Sequence, residues 1–257
     1  MARKLYAIIG DPIDQARSPE VFNRFFSERG VDAEMVALHV RADQLQAALD
    51  GLAAIENFGG AIITIPHKPA AAALAASCSP RVRIAGVANA LKPGADGWSA
   101  ELFDGLGFVE GLARGGHSAD VPSAAVVGAG GAGLAIAAAL LDAGAARVAI
   151  DDIDTARAAA AHRTLSTTYA GRVEQRRPGP EDAIVVNATP VGMRADDPLP
   201  IDLEPLAAHA LVADAIMKPP RTRLLEEAAR RGHPTHEGRH MLDAQADALW
   251  RFLGMGP

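Results

Sequence analysis

Val126-Val127-Gly128-Ala129-Gly130-Gly131-Ala132-Gly133 is the stretch on which the fold turns. An apolar strand pattern, Ala124 to Val127, runs into a G-x-G-x-x-G, and an alanine-rich helical pattern, Ala132 to Ala143, follows at once. The glycine spacing is weak by itself. Its placement between a strand and a helix, with a second strand Arg147 to Ile150 ending at Asp151-Asp152, makes it the core of a βαβ unit. Gly128 permits the tight turn, Gly130 lets backbone approach a pyrophosphate, and Gly133 lets the helix lie close on the strand. Ala129, Gly131 and Ala132 complete the turn, and the helix start offers N–H groups and partial positive charge to phosphates. The alternative is a glycine-rich turn that carries no ligand.

The acids after the second strand sit where a ribose-binding carboxylate belongs. Such a carboxylate accepts from the ribose hydroxyls of NAD and repels the 2′-phosphate of NADP. No arginine follows immediately, since Ile153 and Asp154 come next. The expectation is therefore NAD in preference to NADP, with Asp152 ahead of Asp151 for the ribose and Asp154 capping the helix from Thr155 to Tyr169.

Working outward, short β-branched runs alternate with helical stretches, the pattern of an α/β chain with a parallel sheet. Toward the N-terminus the expected elements are strand Leu5–Ile9 and a helix with Ser18 as N-cap and Pro19 at its first position. Strand Glu34–Val40, helix Arg41–Ile55, strand Ala61–Ile65 broken by Pro66, helix Lys68–Ala76 and strand Asn89–Lys92 follow. Arg114 to Pro122, rich in Gly, Ser, His and Asp, reads as a surface connection. Beyond the glycine turn come strands Ile184–Val186 and Leu211–Ala215 and a closing helix Met241–Phe252. Two α/β domains are expected: a substrate domain of residues 1–102 joined by 238–257, and a Rossmann-like dinucleotide domain of residues 103–237.

The net charge is -6 with no basic block, which argues against nucleic acid. The longest apolar run is too short to span a membrane, and no N-terminal stretch reads as a signal peptide. The single cysteine, Cys78, cannot form an internal disulfide, so a reducing, cytoplasmic setting is expected. His233, His236 and His240 are close in sequence, but Pro234 breaks their spacing and no carboxylate pair is aligned with them. No metal is expected. His67 is expected to support its loop, and Arg223, Arg230 and Arg231 to form a solvated helix face.

A second set of fragments lies along nearly the whole chain in a fixed order. They are Gly10-Asp11-Pro12-Ile13, Ser18-Pro19 with Asn23, Thr64 with Pro66-His67-Lys68, Gly86 to Asn89, and Asp104-Gly105 with Gly107-Phe108. After the glycine turn come Asn187-Ala188-Thr189-Pro190-Val191-Gly192-Met193 and a tail of Gly238, Met241-Leu242 and Gln245. In this order the chain resembles the shikimate/quinate dehydrogenase family. The resemblance implies hydride transfer between a nicotinamide and a ring hydroxyl or ketone of shikimate, quinate or a related cyclic hydroxy acid. It implies Lys68 and Asp104 as the catalytic pair, with an amine to take or give the hydroxyl proton and a carboxylate to orient it. Ser18, Thr64, Asn89 and Gln245 become substrate contacts. Asn187, Thr189, Met217 and Gly238 join the cofactor side. A monomer or homodimer binding a small molecule is expected.

The departures from the family pattern bear on substrate. Ala16 replaces the first of two serines, Gln15 a histidine, Ile62 an asparagine, Leu102-Phe103 an Asn-Thr pair, and Met217 the tyrosine of an Asp-x-x-Tyr-x-Pro stretch. Each lost partner of a substrate hydroxyl weakens binding by about 1–3 kcal/mol. Either Arg17 replaces the lost serine as a carboxylate clamp, or the pocket takes a less polar substrate. A dinucleotide-binding regulator without catalysis is the reading from another class, and retention of Lys68 and Asp104 argues against it.

Overall fold

The computed structural model describes residues 2–14 and 16–256, and all structural statements refer to these residues. Gln15 and the side chain of Leu242 lie outside what is described. The chain forms two compact units, Met1–Phe103 with Ala246–Pro257, and Asp104–Gln245. The irregular stretch Arg114 to Pro122 falls inside the second unit rather than at the division.

The first unit contains β1 (Lys4–Gly10), α1 (Ser18–Glu28), β2 (Ala33–His39), α2 (Leu45–Ala53), β3 (Phe58–Ile63), α3 (Lys68–Leu74), β4 (Ser77–Cys78), α4 (Pro80–Ala85), β5 (Ala90–Gly94) and β6 (Gly97–Glu101). Its sheet runs β2-β1-β3-β5-β6-β4. β1 is parallel to both β2 and β3, as the alternating pattern implied. β5 is antiparallel to both β3 and β6, while β4 is parallel to β6, so this sheet is mixed. β6 escaped the sequence reading, and Gly97 with φ +114° marks the turn that makes it the hairpin partner of β5.

Boundaries differ at capped or broken ends. Arg17 holds the N-cap of α1 and gives no side-chain cap, so Ser18 is the first helical residue, not the cap. The expected helix from Arg41 is a short 3-10 turn, Ala42–Gln44, followed by α2. Phe26 stacks on Tyr6 at 5.7 Å and meets Trp250 at 5.4 Å, which secures the C-terminal residues to this unit's core.

The second unit contains α5 (Asp104–Arg114), β7 (Ala124–Val127), α6 (Gly131–Asp142), β8 (Val148–Asp151), α7 (Thr155–Ser166), β9 (Val173–Gln175), β10 (Ile184–Asn187), β11 (Leu211–Asp214), α8 (Arg223–Arg230), β12 (Thr235–His236) and the start of α9 (Arg239–Leu253). Its strands run β12-β11-β10-β7-β8-β9, every pair parallel. β7, β10 and β11 are buried along their whole length. That is why they read as unbroken apolar runs rather than alternating ones.

Candidate active site

In each sheet the chain reverses direction beside its first strand, and the carboxyl ends of strands at such a reversal form the natural ligand crevice. In the second unit this point lies between β7 and β10. The strand register sets Asp151, Val127, Asn187 and Asp214 in one row across that edge.

The glycine turn leaves β7 here. Gly128 has φ +106°, and a Cβ on it would stand 2.8 Å from the carbonyl carbon of Ala188. At Gly133 a Cβ would fall 1.8 Å from the Gly128 carbonyl oxygen, so helix and turn can touch only without a side chain. Gly130 differs, because nothing lies within 4 Å of its Cβ position. It is the N-cap of α6, and no side chain caps that helix. An open approach to backbone, at a helix start that no side chain serves, fits a pyrophosphate. These residues therefore suit a dinucleotide.

Asp152 is committed differently from expectation. Its Oδ2 accepts from Ala129 N at 2.8 Å and its Oδ1 from Asp154 N at 2.9 Å, with the side chain buried. It holds the glycine turn to the β8 loop. Asp154 caps α7, accepting from the amides of Ala156 and Arg157. Arg157 then folds back to 3.5 Å from both Asp152 and Asp154. The arginine missing from the immediate sequence is thus supplied one helical turn later. Asp151, half-buried at the end of β8, remains at the edge.

Asn187 organises the neighbouring loop. Its Nδ2 donates to Val191 O at 3.1 Å and to Asp214 Oδ1 at 3.2 Å, and its Oδ1 accepts from the Thr189 amide and hydroxyl. Met193 and Met217 are exposed. Gly238 packs on Ile216, where a Cβ would meet the carbonyl oxygen at 2.4 Å. Asp214 had no expected role. Burial pushes its carboxyl up to about 6, against the lowering effect of the Ile216 amide, the Thr222 hydroxyl and Asn187.

Asp104 opens α5 and is buried. Gly105 lies against α6, its Cβ position 2.1 Å from Ala135 O. Gly107 lies against α9, its Cβ position 2.4 Å from Met241 O and 2.9 Å from Gln245 Cβ. These two glycines let three helix backbones close up, and they bring Gln245 to the face of α5 that carries Asp104, one turn away. The sequence matched both glycines without showing what they touch.

In the first unit the corresponding reversal lies between β1 and β3. A Cβ on Gly10 would stand 2.5 Å from Thr64 Cγ2, and Asp11 N donates to Ile65 O. Thr64 follows β3, and Lys68 starts α3, half-buried. His67 is buried, its Nε2 2.7 Å from Val40 O, which fixes the turn before Lys68. Lys68 O accepts from Ala88 N at 2.9 Å, and the buried Asn89 accepts from Phe103 N through Oδ1 at 2.9 Å. One run of hydrogen bonds therefore connects the backbone at Lys68 to the residue before Asp104. Ser18 is buried at the start of α1 and Arg17 is exposed beside it.

No group of three or more His, Cys, Asp or Glu residues able to hold a metal occurs among the described residues, and no described helix is long and apolar enough to cross a membrane.

Residues 8–91 match the shikimate dehydrogenase substrate binding domain. The shikimate dehydrogenase (NADP(+)) of Acidiphilium cryptum (strain JF-5) is 35% identical over 243 residues, 95% of this chain and 87% of that protein. The solved quinate dehydrogenase from Corynebacterium glutamicum in complex with NAD is 30% identical with TM-score 0.84, covering 98% of this chain and 94% of its own. The ligand-free 5-ketofructose reductase of Gluconobacter sp. strain CHM43 is 25% identical with TM-score 0.87, covering 98% and 93%. The expected preference for NAD is overturned. Although the quinate dehydrogenase was solved with NAD, the curated relatives at 34–36% identity are named for NADP(+). The reasoning failed locally as well, because Asp152 is engaged by two backbone amides and Arg157 stands beside it. With identity and coverage of this extent, the chain belongs to the shikimate dehydrogenase family of oxidoreductases.

Proposed function

We propose that this protein transfers hydride between a nicotinamide dinucleotide and a ring hydroxyl or ketone of shikimate, quinate or a related cyclic hydroxy acid. The observation that carries the reading is the hydrogen-bond run from Lys68 through Ala88 and Asn89 to Phe103, which ties the backbone at Lys68 to the residue before Asp104. Lys68 Nζ takes the hydroxyl proton in the oxidative direction and returns it in the reductive one. Asp104 orients the lysine and the reacting hydroxyl. Ser18 and Arg17 hold the substrate carboxylate, while Thr64, Asn89 and Gln245 meet ring hydroxyls. The bound dinucleotide supplies the hydride acceptor or donor. Gly128 to Gly133 receive its pyrophosphate, and the loop from Asn187, with Met217 and Gly238, flanks its nicotinamide. Arg157 is the cation we assign to the 2′-phosphate of NADP(+), the form named for the curated relatives.

A narrower substrate reading has its own support. Ile62, Leu102 and Phe103, which stand where the family pattern has polar groups, are all buried apolar side chains. The solved 5-ketofructose reductase supports a fold of this kind acting on a different carbonyl compound. The test is substrate-dependent reduction of the dinucleotide with shikimate, quinate and simpler cyclic hydroxy acids. Turnover on one of them is expected. High efficiency with shikimate removes the less-polar-substrate reading, and dinucleotide binding without turnover on any of these acids replaces the enzyme by a regulator.

A further inference from the structure

Asp214 is completely buried, and its three hydrogen-bond partners are all neutral. Oδ1 accepts from Ile216 N at 2.9 Å and from Asn187 Nδ2 at 3.2 Å, and Oδ2 accepts from the Thr222 hydroxyl at 2.7 Å. A carboxylate without a cation is an expensive group to bury, and a neutral amide would fill the same space at lower cost. What the carboxylate adds is an acceptor-only surface. It and the Val191 carbonyl can only accept, so the Asn187 amide must turn its NH2 toward both. Its oxygen is then left facing the Thr189 amide and hydroxyl, at 3.0 and 2.7 Å. Thr189 Oγ1 in turn accepts from Val191 N at 3.1 Å. The same carboxylate holds the amide of Ile216, the residue before Met217.

We propose that Asp214 is the positioning residue of the dinucleotide site: by fixing the orientation of the Asn187 amide and the Ile216 backbone, it sets the conformation of both segments that flank the nicotinamide. The inference rests on reading those segments as the nicotinamide side of the site. It concerns a residue that touches neither substrate nor cofactor and acts through Asn187.

The test is Asp214→Asn in the full chain, read by dinucleotide titration, by the separate KM values for dinucleotide and hydroxy acid, and by thermal melting. An asparagine keeps the size of the side chain but brings a donor that competes with the Asn187 NH2. The expected result is a folded protein whose dinucleotide KM and Kd rise at least about fivefold, as the loss of a hydrogen bond to a charged group implies. The hydroxy acid KM stays within about twofold. Thr222→Val, which keeps the carboxylate but removes one of its donors, is expected to give a smaller rise of the same kind and carries the test if Asp214→Asn does not fold. An unchanged dinucleotide KM in a folded variant, or equal rises in both KM values, overturns the proposal. If the wild-type protein binds no dinucleotide, the underlying functional reading falls and takes this inference with it.

Discussion

Gly130 and Gly133 lie three residues apart in one turn, yet alanine at each should do opposite things. At Gly133 the new Cβ falls 1.8 Å from the carbonyl oxygen of Gly128 and 2.9 Å from its carbonyl carbon. Both are backbone atoms, so no rotamer relieves the contact. Restoring an ordinary carbon–oxygen separation requires α6 to move off the turn by roughly 1.5 Å. Overpacking of this kind costs about 1–3 kcal/mol or more, a fall in Tm of about 2–4 °C for each kcal/mol in a chain of this size. At Gly130 the Cβ meets nothing within 4 Å, and φ −79°, ψ −175° is backbone that alanine adopts. Stability should change by less than about 1 kcal/mol, the loss of a glycine N-cap being offset by reduced freedom of the unfolded chain. The methyl would, however, occupy the approach assigned to the pyrophosphate. Loss of one or two charge-assisted hydrogen bonds there implies a roughly 10- to 100-fold weaker dinucleotide. Thermal melting together with dinucleotide titration separates the two variants. If Gly130→Ala binds dinucleotide as tightly as wild type, the space beside it is not the phosphate site and the assignment of the turn is wrong.

Lys68→Ala should lower kcat by about 10²–10⁴ while leaving dinucleotide Kd unchanged, since a general acid–base is removed and the cradle is not touched; single-turnover rates near wild type would dismiss Lys68 as the proton carrier. Arg157→Ala should raise the KM for NADP(+) about tenfold or more and leave that for NAD within about twofold, and an equal effect on both would show that Arg157 does not meet a 2′-phosphate. The Asp214 carboxyl is raised by burial from 3.8 to about 6, so between those values the folded chain holds a proton that the unfolded chain has lost. Its contribution to stability is therefore most favourable at low pH and falls as pH rises through about 6, by at most about 3 kcal/mol. Asp214→Asn removes that slope, so urea unfolding at pH 4.5 and 7.5 should find the variant gaining on wild type at the higher pH; a difference independent of pH would refute the burial argument.

The second unit was the more legible because its central strands are fully buried apolar runs and its first turn is punctuated by glycine. β7, α6 and β8 announce themselves by a change from apolar run to helical period and back. β4, β9 and β12 do not, since two or three residues cannot display a period and their pairing is decided by neighbours distant in sequence. The same limit applies to side chains. Asp152 looked like a ribose ligand because spacing identifies an acid at a strand end but not its partner, the Ala129 amide 23 residues earlier. Asp214 showed only as the acid that opens the stretch ending at Pro219, with no role attached, and its partner Asn187 is brought alongside by strand pairing. Arg157 was hidden by helical periodicity, which returns it to the β8 loop one turn into α7.

The substituted positions of the first unit show how a pocket can lose polar groups without penalty to the fold. Phe103 packs edge-on against Phe252 at 5.7 Å, and the Arg81 guanidinium lies 5.7 Å from its ring centre. Its amide is still satisfied by Asn89. Ile62 and Leu102 are likewise buried, each within or beside a paired strand, so no donor or acceptor is stranded by their apolar side chains. The binding consequence falls entirely on the ligand: a hydroxyl that depended on those positions would be buried without a partner, at about 1–3 kcal/mol each. The retained groups divide by role. In the proposed function, Lys68 and Asp104 are assigned to the reacting centre whatever the ring carries, while Ser18, Thr64, Asn89 and Gln245 are assigned to its substituents. A chain that keeps the first pair and thins the surroundings of the second preserves the reaction while relaxing which hydroxyl pattern it demands, and this is the physical reason to vary ring hydroxylation rather than the reacting carbon when its substrate is sought.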